Sequence, residues 1–179
     1  MQSLTTHLKK RQLVSVVRQG VDGYGVQGFV VGVSDTLLAL EYVYDFQIDG
    51  ILILRRSDIT DVKRTATDKF QEKLMAAVGL RAGSQEPQEF DLDGWPALIK
   101  QLSNHYPFMI VERELGPSPQ LVIGRPLKLM KTQIEFRSFS GTGKWSLKAR
   151  RIKYSQITSL QVNTRYVNFY QQYLQRGAT

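Results

Sequence analysis

The chain contains no cysteine, which excludes disulfides, thiolate nucleophiles and zinc–thiolate sites and fits a reducing compartment. Histidine is almost as scarce. His7 and His105 are the two present, far apart in sequence and without cysteine partners, so neither a metal site nor a catalytic triad is suggested by spacing. Surface or capping roles are the plain reading for both. No apolar run approaches the roughly 20 residues needed to span a bilayer, and Met1 to Arg11 lacks the apolar core of a signal peptide. The expectation is a cytoplasmic protein that does not contact membrane. Asp45, Asp49, Asp58 and Asp61 crowd one region, but their spacing fits neither a calcium loop nor an acid/base pair. Catalysis thus has little to work with, and a non-enzymatic protein without cofactor or metal is expected.

Negative charge is in short supply, and unevenly so. Lys and Arg number 24 against 16 Asp and Glu, a net of +8. Residues 1–80 hold 10 cations against 9 carboxylates and residues 81–102 hold 2 against 4, while residues 103–179 hold 12 against 3. The last stretch therefore carries a net of +9. Segregated positive charge points to a polyanionic partner such as RNA, because neutralising phosphates releases counterions. A solubilising surface is the alternative reading.

What the chain does have is an internal repeat. Leu54 to Thr60 recurs 98 residues later as Ile152 to Thr158, and Gly28, Val31, Val33, Thr36, Leu38 and Leu40 recur at an offset of 96 as Gly124, Leu127, Leu129, Thr132, Ile134 and Phe136. Two units of about 70 to 80 residues follow: residues 1–80, a linker over 81–90, and residues 91–179. Units this small bury little surface alone, so they are expected to share a core or an interface. In the first, strands are predicted through Leu13–Val17, Val26–Val33, Leu37–Val43, Ile51–Arg55 and Ile59–Lys63, with glycine-rich turns between them. In the second they are predicted over Phe108–Arg113, Leu121–Met130, Thr132–Phe139, Lys144–Arg150 and Ile152–Gln161. Thr65 with Asp68 reads as a capping box ahead of Phe70, Leu74, Ala77 and Val78, with Gly79 as the stop. Thr164 precedes a stripe of Tyr166, Phe169, Tyr170, Tyr173 and Leu174, read as a buried face, with a partner surface as the alternative. Trp95, Leu98, Ile99 and Leu102 share one face of a helix within Asp91–Asn104, and Leu4 and Leu8 suggest another at the start.

Five short strands behind a helix suggest a small barrel. Gly50, Leu54, Arg55 and Ile59 match the second motif of Sm-like proteins, and Asp35, Leu38 and Leu40 match the first, although Gly28 to Asp35 is one residue longer than usual. The first unit resembles that family over roughly residues 13–63, and the second keeps its hydrophobic skeleton. Through Trp95, Ile157, Thr158 and Tyr166 the whole chain is similar to an uncharacterised bacterial family with two Sm-like repeats. The fold this implies is mainly β with flanking helices (α+β), a tandem duplication of a five-stranded Sm-like or Src-homology-type barrel. The resemblance implies no activity. Uridine recognition in Sm-like proteins uses an Asn, a stacking side chain and the Arg of the second motif; here the first position holds Ala39, or Leu38 if the register slips by one, the second Leu37, and only Arg55 remains. An ion-pair role for Arg55 is the alternative.

The better candidate for anion binding lies in the second unit. Lys144, Lys148 and Arg150, with Ser146, alternate with Trp145, Leu147 and Ala149, so the basic set should project from one face of a strand. Arg151 and Lys153 continue the charge past Ile152, which hints at a bulge. Arg125, Lys128, Lys131 and Arg137 come from neighbouring strands. The alternative is an edge strand studded with cations to prevent sheet-to-sheet aggregation. Gly23 to Gly28 spells a dinucleotide fingerprint and Gly141 to Lys144 the end of a phosphate loop, yet both run from strand to strand and lack the helix N-terminus that phosphate needs. The expected function is a tandem interaction module with RNA or another polyanion on the second unit. A protein-assembly or self-association role is the alternative.

Overall fold

The computed structural model describes residues 4–18, 20–21, 25–83 and 89–176. Among them lie α1 (Leu4–Lys10), β1 (Leu13–Val17), β2 (Val26–Val33), β3 (Leu37–Tyr44), β4 (Gln47–Arg55), β5 (Asp61–Lys63), α2 (Ala66–Ala77), α3 (Trp95–Ser103), β6 (Met109–Arg113), β7 (Gln120–Leu129), β8 (Gln133–Ser138), β9 (Arg150–Lys153), β10 (Ser159–Val162) and α4 (Arg165–Arg176). Gly23 and Tyr24 of the fingerprint, the centre of the linker and Gly177 lie outside the described residues.

The strands form one antiparallel sheet in the order β5-β1-β2-β3-β4-β10-β6-β7-β8-β9. The chain is therefore mainly β with flanking helices, but the sheet is open. Among the described residues no pairing closes either group of five strands, because β4 gives its outer edge to β10, with Ile51 opposite Val162 and Leu54 opposite Ser159. Local details recur along the chain. The ladder of β2 with β3 shifts between Val30 and Gly32, and that of β7 with β8 shifts between Pro126 and Lys128. Single 3-10 turns at Arg56–Asp58 and Tyr154–Gln156 follow β4 and β9. Each is anchored by the same pair of backbone bonds: Arg56 N–H to Thr36 O and Ile59 N–H to Arg56 O in one, Tyr154 N–H to Thr132 O and Ile157 N–H to Tyr154 O in the other.

The burial pattern explains the runs of apolar sequence. Leu37 to Leu40 and Ile51 to Leu54 are buried without interruption, as expected of strands covered on both faces. Leu38, Leu40, Leu52 and Leu54 pack with Val14, Val16 and Val30 beneath Leu4 and Leu8 of α1. Leu37, Ala39, Ile51 and Ile53 join a different cluster, in which Trp95, Leu98, Ile99 and Leu102 of α3 also meet Val122, Ile134, Phe136 and Ile152. That helix is shared between the two groups of strands, and each of its buried apolar side chains contributes about 1.5–3 kcal/mol. At the same junction Arg18, 2% exposed, makes a bidentate ion pair with Glu114 at 2.7 and 2.9 Å, and Thr158 Oγ1 donates to Glu114 Oε2 at 2.6 Å.

Helix α2 has the capping box expected of Thr65 and Asp68. It ends in a Schellman arrangement, with Leu80 N–H to Met75 O, Gly79 N–H to Ala76 O, and Gly79 at φ 85°. Its buried residues are Asp68 and Met75, whereas Phe70, Leu74 and Val78 at helical spacing are 61, 43 and 74% exposed. Met75 packs on Leu13, Phe29 and Val43 instead. The reason is that Asp68 points into the sheet, accepting from Ser15 Oγ and Gln27 Nε2 at 2.8 Å, and this turns the Phe70 face outward. His7 departs from expectation, since it is buried, with Nδ1 2.8 Å from Gln12 Oε1.

Candidate anion-binding face

In β8 the alternation is strict: Ile134, Phe136 and Ser138 are buried while Gln133, Glu135 and Arg137 lie on the other side. Cross-strand partners share a face, so register identifies what else lies there. Arg125 stands opposite Arg137, Lys128 opposite Glu135, Arg151 opposite Glu135 from the other side, and Lys153 opposite Gln133. Five cations and one carboxylate thus lie on one face of β7, β8 and β9. The Arg151–Glu135 contact, at 4.0 Å, is the ion pair found there among the described residues.

The Arg125–Arg137 pair is unusual because like charges directly opposite one another destabilise a sheet. Both guanidiniums rest on the same indole, with Cζ atoms 5.1 and 5.5 Å from the centroid of Trp145, within the range of cation–π attraction. Arg137 Nε also donates to Ser146 O at 3.3 Å. Trp145 is in turn fixed edge-on against Phe108 and Phe139, at 5.5 and 5.4 Å. Two cations are therefore held on one platform, a geometry suited to the oxygens of a phosphodiester. Gly124 permits it, since a Cβ there would collide with the carbonyl of Arg137.

The remaining basic residues are dispersed. Lys131 sits in the β7–β8 turn beside the Lys153 end, and Lys144 in the turn that leads into Trp145. Arg150 is opposite Phe136 and so lies on the other side of the sheet. The strand expected over Lys144–Arg150 does not form, and the one expected over Ile152–Gln161 is divided between β9 and β10. Bridges join Phe139 to Trp145 and Phe136 to Arg150; between them Arg137 and Ser138 face four residues, 146–149, and the surplus loops out. Lys148 goes with it, Leu147 is fully exposed, and Ile152 is regularly paired with Ile134 rather than bulged. Arg55 is elsewhere, on β4. Its Nε donates to Asp58 at 2.8 and 2.9 Å and its Nη1 to Ser155 O at 2.7 Å, so it fastens the two 3-10 turns together.

Three of the four acidic residues named in the 45–61 region are likewise occupied. Asp49 accepts from Arg165 N–H at the start of α4, Asp58 holds Arg55, and Asp61 lies 3.2 Å from Lys63. No group of three or more His, Asp or Glu positioned to hold a metal occurs among the described residues. No helix among them is long and apolar enough to cross a membrane.

Comparisons with family models, with curated proteins and with solved structures return no match. The chemistry of this face is what remains to indicate a function. Sequence reading missed Trp145 as its centre, because strict alternation set that residue, with Leu147 and Ala149, apart from the basic face. The signal that was present is its position between two Arg-bearing strands and a Gly-Thr-Gly turn.

Proposed function

We propose that the chain is a cytoplasmic, non-enzymatic interaction module of two Sm-like units that binds RNA through the cationic face of β7, β8 and β9. The observation that carries this reading is the Arg125–Trp145–Arg137 arrangement, in which two like charges are preorganised with one nearby carboxylate on Glu135. Preorganised cations gain affinity because little side-chain freedom is lost on binding. Duplication is supported by the recurrence of strand order, ladder shifts and 3-10 turns at offsets of 96 and 98. The duplication also accounts for where the charge lies. At those offsets Phe29 corresponds to Arg125, Glu41 to Arg137, Ala39 to Glu135 and Ile53 to Arg151. In the first unit Phe29 packs with Met75 of α2, and Ala39 and Ile53 pack in one cluster with α3; in the second the matching positions are mostly cationic.

Titration against RNA over a series of salt concentrations tests the proposal. Binding should weaken steeply as salt rises, because phosphate contacts release counterions. Affinity that is undetectable at low salt, or indifferent to salt, overturns it. The exposed stripe of Phe70, Leu74 and Val78 on α2 favours a second reading, a protein-assembly module. Sedimentation of the free protein separates the two, since assembly requires no nucleic acid.

A further inference from the structure

The aromatic stripe of α4 is not core. Tyr166, Phe169 and Tyr173 are 50, 70 and 65% exposed, and the helix is held down by Val167, Tyr170 and Leu174 against Phe108, Ile110 and Phe139. The corresponding helix α2 has the same layout. Counting from the caps Thr65 and Thr164, Asp68 and Val167 stand at the same place and are each 1% exposed, and the outward positions Thr67, Phe70 and Leu74 are matched by Tyr166, Phe169 and Tyr173. The outward stripe has thus become wholly aromatic on the half that also gained the positive charge.

The two features are continuous. Ile123 and Arg125 are two residues apart on β7 and share a face, as do Arg137 and Phe139 at the end of β8, so α4 and the cations occupy the same side of the sheet. A ladder of rings links them: Tyr166 to Tyr170 at 5.0 Å, Tyr170 to Phe139 at 5.0 Å, Phe139 to Trp145 at 5.4 Å, and Trp145 to the two guanidiniums. The Tyr170 hydroxyl donates to Gly141 O at 2.7 Å, and the Tyr173 ring lies so close to Gly143 that a Cβ there would approach it to 2.9 Å. Helix α4 is therefore fixed against the turn that carries Lys144.

We infer that the outward face of α4 is a stacking surface for the bases of single-stranded nucleic acid, whose phosphates lie on Arg125 and Arg137. This inference rests on the phosphate-binding reading of the cationic face. Exposed rings bordered by preorganised cations match what unpaired bases on a charged backbone require, since every base offers a π-face to stack. A duplex buries those faces and gains nothing from the stripe. An apolar protein partner would use the rings but leave the adjoining cations without counter-charge.

The test compares an oligoadenylate of roughly 12 nucleotides with linear polyphosphate of equal charge, which has phosphates but no bases. Phe169→Ala combined with Tyr173→Ala should weaken oligoadenylate binding about tenfold or more while polyphosphate binding stays within about twofold. Phe169→Leu with Tyr173→Leu, which keeps apolar bulk, should behave like the alanine variant. Unchanged oligoadenylate affinity in the alanine variant, or full affinity in the leucine variant, overturns the stacking surface while leaving the phosphate face standing. Failure of the parent protein to bind polyphosphate overturns the phosphate face, and the stacking surface with it. Self-association of the parent that the alanine variant loses, without nucleic acid present, assigns the stripe to protein contact and also overturns the inference.

Discussion

Replacing Arg125 and Arg137 together by Gln removes two charges from a face whose balance can be counted. Register places Arg125, Lys128, Arg137, Arg151 and Lys153 there, with Glu135 opposing Arg151, which leaves about four effective cations if the pair is neutral. For a single strand, log K falls with log salt at about 0.7 per neutralised phosphate, so the parent slope should be about −2.8 and that of the double variant about −1.4. Between 50 and 200 mM salt the parent should lose about 50-fold in affinity and the variant about sevenfold. Fluorescence anisotropy with a labelled RNA across that range gives both slopes. The Lys pair, Arg125→Lys with Arg137→Lys, supplies the control: charge is kept, so the slope should stay near the parent value, while loss of the planar guanidinium on Trp145 lowers affinity at every salt concentration. If the Gln variant keeps the parent slope, these two arginines do not touch phosphate and the reasoning is wrong.

Three further expectations concern the scaffold. Gly124→Ala forces a Cβ onto the backbone of Arg137 and Ser138, where nothing flexible can give way; the cost should be about 1–3 kcal/mol, read as a lower thermal midpoint, and RNA binding should weaken as the two arginines separate. Glu114→Ala leaves the buried Arg18 guanidinium without its bidentate partner, and chemical denaturation should show a loss of roughly 3 kcal/mol. Burial pushes the Asp68 carboxyl up, but the Thr65 backbone N–H and the Gln27, Ser15 and Thr65 side chains outweigh it and hold the group below its ordinary 3.8. A carboxylate depressed in the folded state stabilises above its unfolded pKa and loses that contribution as pH falls through the folded value. Asp68→Asn should therefore flatten the decline in stability below about pH 4 while lowering stability at neutral pH.

The sequence was most legible where a single pattern decides. The capping box at Thr65, the buried face of α3 and the strands of the first unit followed from spacing alone. Closure did not follow, because five strands in succession specify neighbours but not what the outer edge of β4 will meet. Pairing of Ile51 to Leu54 with Ser159 to Val162 is a contact over some hundred residues, and local periodicity carries no trace of it. Which face of α2 is buried did not follow from spacing either, for a different reason. Phe70, Leu74 and Val78 repeat at helical spacing, yet Asp68 finds Ser15 and Gln27 in the sheet, and those hydrogen bonds rotate the helix against its hydrophobic pattern. The candidate face was half legible. Arg125, Lys128, Arg151 and Lys153 were named from sequence and meet on one side, but the looped-out 146–149 segment removed Lys148 and exposed Leu147, and a bulge of that kind has no period to detect.

Position alone gives part of the reason for charge at this end of the sheet. Ala39 and Ile53 lie under α3, whereas at the matching places Arg151 is exposed and Glu135 half-buried, with no helix over them among the described residues. A face exposed to water carries polar rather than apolar residues, and an edge such as β9 is commonly guarded by cations. Exposure would be met by charges of either sign, and edge protection accounts only for the cations of β9. The two requirements do not call for Arg125 to stand directly across from Arg137, at a cost in sheet stability, nor for an indole braced by Phe108 and Phe139 to hold both guanidiniums in place. Exposure explains why this face is polar, and edge protection why β9 carries cations. Neither explains why Arg125 and Arg137 are paired and preorganised, which the proposed phosphate-bearing ligand does.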